Sequence, residues 1–368
     1  MTSLASEYAL ITGGAGFIGT NLAQRLVQEG RRVVVLDNLS RPGVEANAEW
    51  LRSLGSDKVT LEREDCRNFP RVLELVRGAS EVYHLAAQVA VTTSLVDPVQ
   101  DFEVNAGGTL NVLEALRRLG GKKPLVFTST NKVYGALPEV ELHNTGTRYE
   151  PVNAATAESG IDERQPLDFH SPYGCSKGAA DQYVLDYARS FGIPAVVFRM
   201  SCIYGPHQCG NEDQGWVAHF LKRVLSDETI TVFGNGLQVR DVLYVDDLVS
   251  AFLLARDNAA ELRGQAFNMG GGPRNTVSLL ELLEQIRTLC GREPRVRFEP
   301  SRVGDQRYYV SSFQKFRALT GWAPAVAVND GLRKLHDWLL QSASALSRAR
   351  AETDPRPLPS QSTAAQAS

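Results

Sequence analysis

Residues 8–19 read Tyr8-Ala9-Leu10-Ile11-Thr12-Gly13-Gly14-Ala15-Gly16-Phe17-Ile18-Gly19, and this stretch decides the fold. A short apolar run ends at a glycine turn. Ile18, Leu22, Leu26 and Val27 then recur at helical spacing up to Gly30. A second apolar run, Arg32-Val33-Val34-Val35-Leu36, closes on Asp37. Strand, glycine turn, helix, strand and acid in that order form a dinucleotide fingerprint. Gly13 makes the tight turn, Gly16 admits the pyrophosphate to the backbone, and Gly19 lets helix and strand pack closely. The helix that opens with Phe17 and Ile18 aims free N–H groups at the phosphates. Asp37 can accept both hydrogen bonds of an adenosine ribose diol, and its charge repels a 2′-phosphate. No Arg follows it directly (Asn38, Leu39, Ser40). The expected cofactor is NAD.

Outward from this unit, strand-like runs recur at 59–62, 81–86, 125–128 and 195–198, with helical spacing between them, as at 105–119 and 173–191. This alternation predicts an α/β fold, a doubly wound parallel (Rossmann) sheet with ligands at the carboxyl ends of its strands. Asp65 follows the third strand, where it can face the adenine. Leu85, Ala86 and Ala87 follow His84 with mostly small side chains that let a dinucleotide cross the sheet edge. From about Tyr204 the chain is punctuated by Gly205-Pro206, Gly210-Asn211, Gly234-Asn235-Gly236 and Gly270-Gly271-Gly272-Pro273, the texture of a loop-rich lobe. The expected division is 1–203 for the dinucleotide domain, with 241–257 returning to it. A smaller substrate-binding lobe takes 204–240 and 258–340. Residues 341–368, nearly free of large apolar side chains, are expected to lack structure.

Composition narrows the functions. The chain has 368 residues, 43% hydrophobic and 22% charged, with a formal net charge of −3. That is a globular balance with no bulk attraction for nucleic acid or anionic membrane. No signal sequence or membrane span is expected. Five cysteines, at 66, 175, 202, 209 and 290, include no C-x-x-C pair, and the six histidines show no H-E-x-x-H spacing. A reduced, cytoplasmic protein without a metal is expected.

The run Ser171-Pro172-Tyr173-Gly174-Cys175-Ser176-Lys177 supplies chemistry. Tyr173 and Lys177 stand four apart and share a helix face that Pro172 opens. A free Tyr has a pKa near 10, too high for a base at neutral pH. A nearby ammonium and the positive nicotinamide can lower it. Thr130 ends the fifth strand and can orient the reacting oxygen. The expected roles are Tyr173 as acid/base, Lys177 as its tuner and a ribose ligand, and Thr130 as orienter.

These residues resemble the extended short-chain dehydrogenase/reductases that act on nucleotide sugars, over roughly residues 6 to 340. The matching runs are Thr12–Gly19, Asp37-Asn38-Leu39, Asn105-Ala106-Gly107-Gly108-Thr109, Val133-Tyr134-Gly135, Tyr173–Lys177 and Arg240-Asp241-Val242-Leu243-Tyr244-Val245-Asp246-Asp247. The resemblance implies Asn38, Cys66 and Asn105 as further cofactor contacts. It implies Arg240, Arg302 and Asp305 as contacts of a nucleoside diphosphate, and a homodimer or homotetramer paired through 105–119 and 173–191. Sugar-nucleotide 4,6-dehydratases in this group carry Asp-Glu after the position of Thr130. This chain has Asn131-Lys132, which speaks against dehydration. The run Ser129–Gly135, with Gln88–Ser94, Asp168–Ser171, Gly178–Tyr183 and Asp213–Val217, is similar to the CDP-paratose 2-epimerases. Such a sugar has no C3 hydroxyl, so inversion at C2 must pass through oxidation at C2 itself, rotation of the 2-keto sugar, and return of hydride to the other face. Gln88, Thr93 and Asn131 are the candidate sugar contacts, with the Gln88 and Asn131 amides suited to holding either face. A CDP-glucose 2-epimerase, a 4-epimerase and a non-catalytic dinucleotide sensor remain as alternatives.

Overall fold

Val33–Leu36 are all buried, which requires a strand covered on both faces. The computed structural model describes residues 7–212, 214–302 and 305–353. Seven parallel strands form its central sheet: β1 (Tyr8–Thr12), β2 (Val33–Leu36), β3 (Val59–Glu62), β4 (Ala79–His84), β5 (Leu125–Thr130), β6 (Ala195–Met200) and β7 (Gln265–Met269). Their spatial order is β7-β6-β5-β4-β1-β2-β3. The chain changes direction across the sheet between β1 and β4, and a crevice opens there at the carboxyl ends.

One face is closed by α1 (Phe17–Gln28), whose Leu22, Ala23 and Leu26 join Val35, and by Leu248 and Phe252 of helix Val245–Asp257. The other face is closed by α2 (Gly108–Arg118) and α3 (Ser171–Phe191), whose Leu113, Leu116 and Val184 meet Leu125, Phe127 and Val197. Each such side chain contributes roughly 1.5–3 kcal/mol on burial. The sheet is thereby a rigid platform, and the strand ends are its working edge.

Beyond β6, strand Val239–Tyr244 pairs antiparallel with Thr276–Ser278 and parallel with Tyr308–Tyr309 and Cys202–Tyr204. Arg240 stands opposite Tyr309 in this register, which brings residues 305–307 against it. Helix Leu279–Cys290 closes the lobe behind a capping box of Ser278 and Glu281.

The structure redraws the expected division of the chain in three places. Gln265–Met269, expected in the lobe, is the seventh strand of the main sheet; Phe267 and Met269 are fully buried in its core. Leu142–Asn144 and Tyr149–Pro151, expected in the dinucleotide domain, form a hairpin tied to the lobe by Tyr149 N to Leu237 O at 2.9 Å and by Arg148 Nε to Glu281 Oε1 at 2.7 Å. The segment expected to be structureless from 341 instead continues helix Val328–Thr353. Its Ala, Leu, Arg and Glu are good helix formers; residues 354–368 lie outside the described residues. The helix expected over 105–119 begins with a π-helical turn, Glu103–Gly107, before α2. Among the described residues no helix is long and apolar enough to cross a membrane, and all five cysteines are free.

Candidate active site

The glycine turn is shaped by contact with its neighbours. Gly13 has φ +68°, and a Cβ there would lie 2.7 Å from the Ala86 backbone; a Cβ on Gly19 would lie 2.5 Å from Gly14 Cα. A Cβ on Gly16 would meet only Gly13 O, at 3.1 Å, so the outer side of the turn is open. Gly16 caps α1 without a side-chain bond, and the first turn holds no acid. Open backbone N–H groups at a positive helix end suit a pyrophosphate.

Asp37 sits at the lip of this turn. Its carboxylate accepts from Ala15 N at 3.0 Å and Leu39 N at 2.9 Å, and burial raises its pKa. Each oxygen retains a lone pair for a ribose hydroxyl. Asn38 Nδ2 donates to Asp65 Oδ2 at 2.8 Å, joining the ends of β2 and β3. Cys66 is buried, with its carbonyl accepting from Asn111 at 3.1 Å; burial pushes its thiol up to about 12. These residues, with the open turn, fit an adenosine dinucleotide laid across the sheet edge.

Behind Leu85, Ala86 and Ala87 runs a hydrogen-bond chain that the sequence reading missed. Ala86 N donates to Thr12 Oγ1 at 3.3 Å, Thr12 Oγ1 lies 2.6 Å from His84 Nδ1, His84 Nε2 lies 3.0 Å from Thr109 Oγ1, and Thr109 donates to Asn105 O at 2.6 Å. Because the Thr109 hydroxyl is spent on Asn105, the imidazole donates from Nε2, and with the ring held neutral by burial Nδ1 accepts from Thr12. Burial holds the His84 pKa down at about 3. Asn105 goes on to accept from Gln88 N at 2.9 Å and to donate to Asp101 Oδ1 and Ser176 Oγ at 3.2 and 3.0 Å. Ser176 lies inside the Tyr-x-x-x-Lys run, and that position was its available signal.

Tyr173, Lys177 and Thr130 are brought together at the end of β5, all three buried. The Tyr173 backbone N donates to Ser94 Oγ at 3.2 Å, which fixes the start of α3. Burial drives the phenol up to about 12, and the nearby Thr130 hydroxyl pulls it back. Lys177 makes its hydrogen bond to the strand end and not to the phenol. Its Nζ donates to Thr128 O at 2.6 Å and lies 4.5 Å from the Phe127 ring centroid. The two side chains share a helix face, but the longer one reaches beneath the strand end while the phenol stays at Thr130. Burial lowers Lys177 to about 8.

Of the expected sugar and nucleotide contacts, Asn131, Arg240 and Asp305 converge. Asn131 Nδ2 lies 3.4 Å from Gln306 Oε1, and Arg240 donates to Asp305 Oδ1 at 2.7 Å and Gln306 O at 2.5 Å. Arg302 stands apart, with its guanidinium 3.7 Å from the Phe233 ring centroid and Nη1 on Glu212 O at 2.9 Å. Gln88 turns its amide back on its own loop, donating to Ala90 O at 2.8 Å and accepting from Ala90 N at 2.9 Å, which leaves one N–H and one lone pair of the amide. Thr93 is exposed, and its neighbour Ser94 is the residue that reaches the site. Lys132 stood out in the sequence only as part of the Asn131-Lys132 pair that speaks against dehydration, with no contact assigned to it, and nothing local marks Gln306.

A glycine-turn crevice beside a buried Tyr-x-x-x-Lys pair is the arrangement of a nicotinamide-dependent enzyme class. The comparisons agree. Residues 9–270 match the NAD dependent epimerase/dehydratase family, and the chain belongs to that family. It is 45% identical over 336 residues to a CDP-paratose 2-epimerase of Salmonella typhi, covering 89% of this chain and 98% of the relative. Among solved structures, the UDP-glucose 4-epimerase of Thermus thermophilus in complex with NAD is 34% identical with a TM-score of 0.75, covering 90% of this chain and 99% of that one. The UDP-glucuronic acid 4-epimerase of Bacillus cereus, in complex with UDP-glucuronic acid and NAD, is 28% identical with a TM-score of 0.78, covering 91% and 99%.

Proposed function

We propose that this protein epimerises a CDP-sugar at C2, of the CDP-paratose to CDP-tyvelose type, by transient oxidation to the 2-keto sugar. The observation that carries this reading is the buried Thr130–Tyr173 pair followed by Asn131 and Lys132. It provides one proton carrier for one carbinol, without the acidic pair that elimination needs at those two positions. The S. typhi relative's name supplies the position and the nucleotide.

In this reading NAD lies on the glycine turn, with Asp37 on the adenosine ribose, and supplies hydride exchange and a positive ring charge that favours the tyrosinate. The protein's own residues do the rest. Tyr173 takes the C2 hydroxyl proton and returns it, so its protonation state is restored each cycle. Thr130 orients the oxygen, Lys177 holds the strand end and faces the cofactor ribose, and the Asn131 amide presents a neutral donor and acceptor to the rotating ketone. Arg240 and Asp305 hold the nucleoside diphosphate, with Arg302 at its far side.

A homodimer or homotetramer is part of this proposal, since Tyr183 and Phe191 of α3 are both 48% exposed, and Val99 and Phe102 of the helix Pro98–Phe102 are exposed as well. A cytoplasmic setting suits five free thiols. The test is to incubate purified protein with CDP-paratose, CDP-glucose and UDP-glucose and read each ring configuration by NMR. Inversion at C2 of a CDP-sugar is expected. Inversion at C4 of UDP-glucose, with CDP-sugars untouched, would overturn the reading.

A further inference from the structure

A 2-epimerase has a register problem that follows from its substrate. C2 is bonded to C1, which carries the diphosphate, whereas C4 lies across the ring. To present C2 to the same tyrosine, the diphosphate must come nearer to the catalytic pair, because C2 is one bond from C1 and C4 is three. That calls for a cation beside Thr130.

Lys132 is such a cation. It sits on the 3-10 turn Asn131–Tyr134, and its backbone N donates to Thr130 Oγ1 at 3.2 Å. Its position is thus locked to the hydroxyl that orients Tyr173. Its Nζ lies 3.4 Å from Gln306 Oε1, a long contact for an ammonium that carries three donors. From the opposite side Arg240 Nη2 donates to the Gln306 carbonyl at 2.5 Å. Two cations from different parts of the fold therefore meet on one residue. Asp305 bonds Arg240 at 2.7 Å, and among the described residues no acid bonds Lys132. Asp305 and Gln306 also line a cleft of about 600 Å³ that neither cation lines, so the residues bonded to the pair, and not the pair itself, face that space. Burial and the Arg240 charge lower Lys132 to about 8, a cost that an arriving anion offsets.

Resting on the function proposed above, we propose that Lys132 contacts the sugar-proximal phosphate of the nucleotide sugar and sets the register that places C2, rather than C4, before Tyr173. Its role is positioning, and the competing account is a structural tie between the turn and Gln306. Calorimetric titration of the NAD-loaded protein with CDP, CMP, UDP and UMP separates the two. Lys132→Met is expected to weaken CDP by about 10–100-fold, the range for a lost charged hydrogen bond, while CMP and retained NAD change less than about threefold. Lys132→Gln keeps a donor toward Gln306 without charge and should lose as much; Lys132→Arg should stay near wild type. Unchanged CDP binding in Lys132→Met, an equal loss for CDP and CMP, or failure of both neutral variants to fold would overturn the proposal. A wild type preferring UDP, with the same loss of UDP in Lys132→Met, would contradict the CDP-sugar reading and leave the role of Lys132 standing. A wild type that binds neither diphosphate would overturn both.

Discussion

Asp37 and Tyr173 are the residues on which the account can be tested most cheaply. Asp37 bonds the glycine turn through Ala15 and presents its remaining lone pairs at the crevice. Asp37→Ala should weaken NAD binding by about tenfold or more, the worth of a charged hydrogen bond. The nucleotide released from denatured wild-type protein should be NAD and not NADP; liberated NADP, or unchanged affinity in the variant, would count against the assignment. Tyr173→Phe removes only the proton carrier, so turnover should fall by about 10²–10⁴-fold with NAD retained. An activity within about tenfold of wild type, some 1.4 kcal/mol of barrier, would mean that another group moves the proton. At this scale the sequence made legible that Thr130, Tyr173 and Lys177 come together, buried, at the end of β5; their roles belong to the proposal. It did not reveal where a flexible side chain goes. Gln88 folds onto Ala90 and Lys177 reaches Thr128, and both choices are made by neighbours distant in sequence.

At the scale of elements, the neutral His84 ties β1, β4 and the π-helical turn into one edge. Its folded pKa of about 3 lies below the ordinary 6.5. Between those values the unfolded chain holds the extra proton. The stability from neutral His84 is therefore complete above about pH 6.5 and is lost as pH falls, by about 1.4 kcal/mol per unit. Thermal midpoints measured from pH 7 to 4 should drop more steeply in the wild type than in His84→Gln; parallel curves would contradict the buried tautomer. Gly13→Ala should cost both stability and cofactor binding, because its Cβ would strike the Ala86 backbone from a left-handed φ. The glycine turn was legible because its geometry is local. The seventh strand was not: Gln265–Met269 is short, lies amid turn residues, and becomes a strand only by pairing with β6. Helix Val328–Thr353 was obscured for the opposite reason, since low apolar content was read as disorder although its residues favour helix.

For the whole molecule, Gln306 bridges sheet and lobe through Asn131 and Lys132 on one side and Arg240 on the other; in the proposed function the sheet would hold the cofactor and the lobe the nucleotide. The apolar face of α3 predicts assembly: sedimentation should give a dimer or tetramer, and Tyr183→Glu with Phe191→Glu should shift it toward monomer. The central claim is that the C2 hydrogen leaves and returns as hydride inside this closed site. The direct measurement is to supply CDP-paratose deuterated at C2 in ordinary water, and unlabelled substrate in heavy water, and to read C2 of the product by NMR. The account predicts that the label stays at C2 in the first case and that none enters in the second. Solvent deuterium at C2 would show deprotonation in place of hydride transfer and would contradict it.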